Sequence, residues 1–147
     1  MIRKGWNYNM NEEYSITSVD QPEWDIIGGG INDYNQQQAG AAHAQRICFV
    51  LKGPDQGIVG GVIAVTYWDW LYVDLMLIKE ELRSRGYGHR LLTLAEDKAR
   101  QHGAKHVYLD TFSFQAPDFY KKHGYHVFGE LKDFPAGHTR YFMTKDL

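Results

Sequence analysis

The stretch LRSRGYGHRL, Leu82–Leu91, joins an apolar run to a segment with helical periodicity. Two glycines, Gly86 and Gly88, stand one residue apart behind Arg83 and Arg85. A loop that leads from a buried strand into a helix gathers amide N–H groups with no partner inside the helix, together with the positive end of its dipole. Phosphates bind in such places. Glycine lets the backbone come close to an anion, and arginine adds charge-assisted hydrogen bonds. The pattern is not the dinucleotide fingerprint, which needs G-x-G-x-x-G near a first strand, nor a Walker loop, which needs G-K-[ST]. Alone it is equally the pattern of a solvated connection, so its flanks decide what it means.

Immediately before it, WLYVDLMLI (Trp70–Ile78) is apolar almost throughout, which predicts a central strand. Strand alternation puts Tyr72, Asp74, Met76 and Ile78 on one of its faces. Upstream, RICFVLKG and IVGGVIAVTYW flank the turn PDQG and predict a hairpin. Earlier still, QPEWDIIGGGINDYNQQQAG spaces Trp24, Ile27, Ile31 and Tyr34 as a helix. Gly28, Gly29 and Gly30 should weaken or kink it, at about 1 kcal/mol each. EYSITSVD (Glu13–Asp20) predicts a first strand.

Downstream, GHRLLTLAEDKARQHG places Leu91, Leu92, Ala95 and Ala99 on one helical face, with Gly103 as its stop. KHVYLDTF follows as a strand, and a strand–helix–strand unit implies that it runs parallel to the central one. APDFYKKHG is a short helix with Pro117 in its first turn and Gly124 at its end. YHVFGEL and TRYFMTK close the chain as two strands linked by KDFPAGH. The order β-α-β-β-β-α-β-α-β-β predicts an α/β fold, a mixed sheet of about seven strands flanked by helices, in one domain spanning residues 1–147.

Composition narrows the functions. With 147 residues, 44% of them apolar and 23% charged, the chain is long enough to bury a core and is not of disordered type. A formal net charge of −2 supplies no basic field for nucleic acid or an anionic membrane. The single cysteine, Cys48, excludes a disulfide within the chain and fits a reducing cytoplasm; its place in a strand predicts a buried small hydrophobe. The opening MIRKGWNYNMNEEYS has no apolar leader core, and no run of about 18 apolar residues follows. The seven histidines are scattered. His102 and His106 are four apart, but Gly103 separates them and no carboxylate completes a zinc motif, so no metal is expected.

RSRGYG reads as Arg/Gln-x-x-Gly-x-Gly/Ala between LMLIKEEL and HRLL, and FYKKHGY (Phe119–Tyr125) follows about thirty residues later. Together with the element order, these blocks resemble the acyl-CoA loop and the FY-x-x-x-G-F/Y helix of the GNAT superfamily of N-acetyltransferases. The resemblance covers nearly the whole chain. The tail DTFSFQAPDFYKKHGYHVFGELKDFPAGHTRYFM is similar to a bacterial branch whose acceptors are unassigned. What the resemblance implies is acetyl-CoA lying in a V-shaped opening between the central strand and the strand after the long helix. Backbone groups of Met76, Leu77 and Ile78 would meet the pantetheine arm, and Arg83, Ser84, Arg85, Gly86, Tyr87, Gly88 and His89 would wrap the pyrophosphate.

The implied reaction is direct attack of a neutral amine on the thioester in a ternary complex. Tyr120 matches the family tyrosine that serves the leaving thiolate, and a backbone N–H near Leu77 the oxyanion donor. The family glutamate on the central strand falls at Tyr72, so Asp74 is the candidate base, directly or through water; a structural aspartate is the other reading. Ser113 stands where relatives carry asparagine, seven residues before Tyr120, with Gln115 near enough to take over part of that contact. Trp70 and Tyr72, with Tyr34 and Phe134, are candidates to wall an amine pocket; core packing or a homodimer contact is the alternative use of the same aromatics. The function these readings point to is acetyl transfer from acetyl-CoA to an amine, a small molecule before a lysine or N-terminal amine. The rival from another class is a CoA-binding sensor without transfer.

Overall fold

A computed structural model describes residues 8–11 and 13–147. Residues 1–7 and 12, part of the opening stretch read for a leader, lie outside the described residues. Internal contacts divide the chain into two compact units, Met1–Ala41 and Ala42–Leu147.

In the first unit, β1 (Tyr8–Asn11) and β2 (Tyr14–Ile16) pair as an antiparallel ribbon of their own. The strand expected over Glu13–Asp20 is therefore short, and it is not a seventh strand of the main sheet. Tyr14 and Ile16 lie on its one repeating face yet stay exposed, so the alternation has no buried side to recruit it. The helix α1 (Trp24–Ala39) is a single element that runs through Gly28–Gly30. None of its residues is buried; Trp24, Ile27, Ile31 and Tyr34 are each more than half exposed.

The second unit is built on a six-stranded mixed sheet in the order β3-β4-β5-β6-β8-β7. Its strands are β3 (Gln45–Lys52), β4 (Ile58–Tyr67), β5 (Trp70–Ile78), β6 (His106–Phe112), β7 (His126–Lys132) and β8 (Thr139–Asp146). The hairpin of β3 and β4 turns where Gly57 N–H donates to Asp55 Oδ1 at 3.0 Å. That of β4 and β5 turns on Trp68 and Asp69, both left-handed at φ +44° and +64°, the primed geometry of two-residue hairpins. As the apolar run predicted, β5 is central: antiparallel to β4 and parallel to β6.

The helix α2 (Tyr87–Gln101) crosses one face of the sheet and buries Leu91, Leu92, Ala95 and Ala99 against Val62, Leu71, Val73, Val107 and Leu109. A short helix, α3 (Pro117–Lys122), packs beside its first turn. Cys48 corrects its expectation: Ile47 is the buried residue at that point of β3, and the strict alternation turns Cys48 outward.

Candidate active site

The pairing of β5 with β6 runs from Trp70↔His106 to Val73↔Leu109 and stops there. Beyond it β5 continues against β4 alone, as far as Ile78↔Gly60, while Asp110, Thr111 and Phe112 pair only with β8. Two parallel strands thus part halfway along their length and leave backbone groups facing an open wedge. The parting coincides with a bulge. Consecutive Ile63 and Ala64 face Leu75 and Val73, so Asp74 is an extra residue in β5.

This bulge corrects the predicted face of β5. Before it Leu71 and Val73 point into the core; after it Met76 and Ile78 do, with Leu75 and Leu77 exposed. Tyr72 and Asp74 therefore do not share a face with Met76 and Ile78. Alternation could not reveal the slip, because WLYVDLMLI is apolar on both sides of it. The partner strand is cut to fit: a Cβ on Gly60 would lie 2.7 Å from the Leu77 carbonyl oxygen, so only glycine lets β4 lie this close to the lip of the wedge. The sequence reading passed over Gly60, although its pairing with Gly61 in the middle of an apolar strand marked a close approach.

At the mouth of the wedge the chain makes a 3₁₀ turn, Glu80–Leu82, and then the loop quoted at the outset. Ser84 (φ +60°) and Gly86 (φ +83°) are both left-handed, and Gly86 is the N-cap of α2. The first helical bond runs from Arg90 N–H to Gly86 O at 3.1 Å, so the N–H groups of Tyr87, Gly88 and His89 lie ahead of it. No side chain caps this end. Arg83 bends back, its Nε donating to Ile78 O at 3.1 Å, while Arg85 is exposed. The second glycine serves packing: a Cβ on Gly88 would press on the Phe119 ring at 3.2 Å and sit 3.6 Å from Met76 Cε.

Tyr120, on α3, is buried to 8% exposure between Phe119 and Tyr125. Burial pushes its phenol up to about 12, and the charge of Asp110 adds to this. Among the described residues no hydrogen bond holds that phenol, and its oxygen is not sealed from solvent. Behind it, Glu96 is 3% exposed and accepts from Tyr125 Oη at 2.7 Å and Lys145 Nζ at 2.9 Å. His123 Nε2 lies 3.6 Å from the same carboxylate, and its ring stacks on His89 with the two Nδ1 atoms 2.7 Å apart. Burial drives the His123 imidazole below its usual range, against the pull of Glu96. No local pattern signals this chain of contacts, since its members are spread from position 89 to 145.

Ser113 and Gln115 fasten the wedge from its far side. Ser113 Oγ accepts from Thr139 N–H at 3.1 Å, and Gln115 Oε1 accepts from Phe112 N–H at 2.9 Å. Tyr72 stacks on Tyr108 at 4.8 Å, and Trp70 lies on His106 at 4.7 Å. Burial, then the charges of Asp110 and Asp74, raise the Tyr72 phenol above its usual range. Phe134 packs edge-on to Phe112 at 5.8 Å under the Arg140 guanidinium. Tyr34 belongs to the first unit, exposed on α1. Sequence reasoning missed Asp110, which pairs with Arg140 Nη2 at 2.7 Å and stands where β5 and β6 part.

A model of the GNAT acetyltransferase family matches residues 9–125. The chain is 36% identical over 91 residues to blasticidin-S acetyltransferase of Streptomyces morookaense, covering 61% of this chain and 67% of that protein. It is 29% identical over 112 residues to an acetyltransferase of Agrobacterium fabrum, covering 76% and 82%. The crystal structure of an acetyltransferase from Bacillus cereus superimposes with a TM-score of 0.85 at 34% identity, over 92% of this chain and 99% of that one.

Proposed function

This chain belongs to the GNAT acetyltransferase family and is an acetyl-CoA-dependent N-acetyltransferase, and from that premise we propose that it acetylates a small-molecule amine by direct attack within a ternary complex. The observation that carries the reading is the wedge where β5 and β6 part, with the left-handed Gly86 and the N-terminus of α2 at its mouth and the Tyr120 phenol nearby. Met76, Leu77 and Ile78 would meet the pantetheine arm along the edge of β5 that β6 has left. The N–H groups of residues 84–89 would take the pyrophosphate, favoured by the dipole of α2. Arg85, which is exposed, would add charge there; Arg83 would first have to give up its bond to Ile78. Ser113 and Gln115 would act by holding the far strand in place rather than by touching the cofactor.

In the reaction the amine lone pair attacks the thioester carbonyl, and the oxyanion that forms takes a hydrogen bond from backbone N–H near Leu77. Collapse re-forms the carbonyl and breaks the C–S bond, the electron pair going to sulfur. The amine's surplus proton must then reach that thiolate. A phenol at about 12 is a weaker acid than a thiol near 8.5, so Tyr120 serves the leaving group by hydrogen bonding and by passing on that proton, not by ionising first. Asp74, at the bulge and exposed, would take the proton that the incoming ammonium has to lose.

Trp70, Tyr72 and Phe134 are the proposed acceptor contacts. The small-molecule preference draws on the similarity to an enzyme named for blasticidin-S. Because the family match runs from residue 9 to 125, across the division between the two units, the whole of 1–147 is proposed as one N-acetyltransferase domain. No helix among the described residues is long and apolar enough to cross a membrane; a cytoplasmic location and action without nucleic acid are proposed from the lone cysteine and the charge of −2. Thiol release from acetyl-CoA, measured across polyamines, amino acids, aminoglycosides and lysine peptides, tests the reading. Release above hydrolysis with a free amine is expected; release with lysine peptides alone would overturn the small-molecule assignment.

A further inference from the structure

We propose that the acceptor is a primary amine carried on a planar ring, its ammonium group docking on Asp110 while the ring lies on the aromatic floor beside it. This rests on the acetyltransferase reading above and names the substrate class of the same site.

The register puts Trp70, Tyr72, Tyr108, Asp110, Phe142 and Thr144 on the sheet face opposite α2. On that face a cavity of about 420 Å³ is lined by Tyr67, Trp68, Trp70, Tyr108, Phe128 and Thr144. Its walls hold one another in place: Tyr67 and Tyr108 share a hydrogen bond between their phenols, Tyr72 stacks on Tyr108, and Trp70 meets Tyr108 edge-on at 6.0 Å. Six lining residues of which five are aromatic give an open apolar hollow that favours contact with a flat, apolar group.

Asp110 ends this floor. It is two residues beyond Tyr108 on the same face, about 7 Å along the strand, and it is the first residue of β6 past the last pair with β5. Its side chain is 17% exposed. Arg140 approaches it with two nitrogens, Nε at 2.8 Å and Nη2 at 2.7 Å, and both go to Oδ1. Arginine–carboxylate pairs frequently engage both oxygens. Here Oδ2 takes no hydrogen bond from any described residue, and a carboxylate oxygen can still accept from an ammonium ion. The guanidinium itself is held by Phe112, Phe134 and Phe142 at 5.2–5.5 Å, which fixes the carboxylate in turn.

Calorimetric titration of tryptamine, and separately of spermidine, into the CoA-saturated protein tests this without requiring turnover. Tryptamine should bind more tightly than spermidine. Asp110→Asn should weaken both by about tenfold or more, as expected for loss of a charged hydrogen bond. Trp70→Ala, at a partly exposed ring, should weaken tryptamine by about tenfold and leave spermidine unchanged. Should Asp110→Asn lose the fold because Arg140 is left unpaired, the double variant Asp110→Asn with Arg140→Gln carries the same comparison. Wild-type affinity for tryptamine in either Asp110 variant, or in Trp70→Ala, would overturn the proposal, as would a preference for spermidine. Tryptamine binding with no thiol release from acetyl-CoA by any amine would sink the acetyltransferase reading and leave the docking site standing. Release with spermidine but not tryptamine would do the reverse.

Discussion

The surroundings of Tyr120 suit the role proposed for it beside the leaving thiolate. Its ring is packed into the core while its phenol stays without a partner among the described residues, protonated far above neutral pH. Tyr120→Phe removes one oxygen and keeps the packing. It should lower turnover about 10²-fold with acetyl-CoA affinity and unfolding temperature nearly unchanged, read by thiol release at saturating acetyl-CoA and by calorimetry. His123 supplies a second residue-level prediction. Its imidazole sits below the usual 6.5 because of burial, so on acidification through that value the unfolded chain takes up a proton that the folded chain resists. Glu96, Lys145, Tyr125 and His89 surround it, and their charges are part of its setting. Stability should therefore fall as pH drops from about 7.5 to about 5.5, and His123→Gln should flatten that fall; thermal melts across this range decide the matter.

Among the elements, the loop before α2 carries the argument. Gly86 is left-handed with open space where a Cβ would stand, so its requirement is conformational. Gly88 is right-handed and tight against Phe119, so its requirement is spatial. Two glycines that look alike in the sequence thus answer to different causes. Gly86→Val places a β-branched residue where the backbone costs about 1–3 kcal/mol, and the loop can escape only by turning its N–H groups away from the wedge. Acetyl-CoA binding should be lost while the fold remains, measured by titration alongside a melt. Binding equal to that of the wild type would remove the loop from the cofactor site. The bulge at Asp74 belongs to the same scale: one extra residue turns Met76 and Ile78 inward and leaves Asp74 on the side of Tyr72.

For the whole molecule, the parted strands are the feature that a ligand must answer. A pantetheine arm seated along β5 would pair with the backbone that β6 abandons, so acetyl-CoA should slow amide exchange at residues 75–78 and raise the melting temperature in a concentration-dependent way. Protection confined to α2 would argue against this seating; hydrogen exchange with and without acetyl-CoA separates the two. Much of this architecture was legible in the chain. Periodicity marked the central β5, the α2 face of Leu91, Leu92, Ala95 and Ala99, and the parallel β6, because each rests on spacing within one short segment. The loop and FYKKHGY marked the family, since both are contiguous. What the sequence determined by itself was the order of elements from α1 onward, the glycine turn before α2 and the tyrosine on α3. Only the tertiary structure decided where β5 and β6 part, that the first strand forms a separate ribbon, and that Asp110 stands at the fork, at the end of an aromatic floor. Those are facts of pairing between distant segments: register and bulges are settled by which backbone meets which, and no local pattern records that.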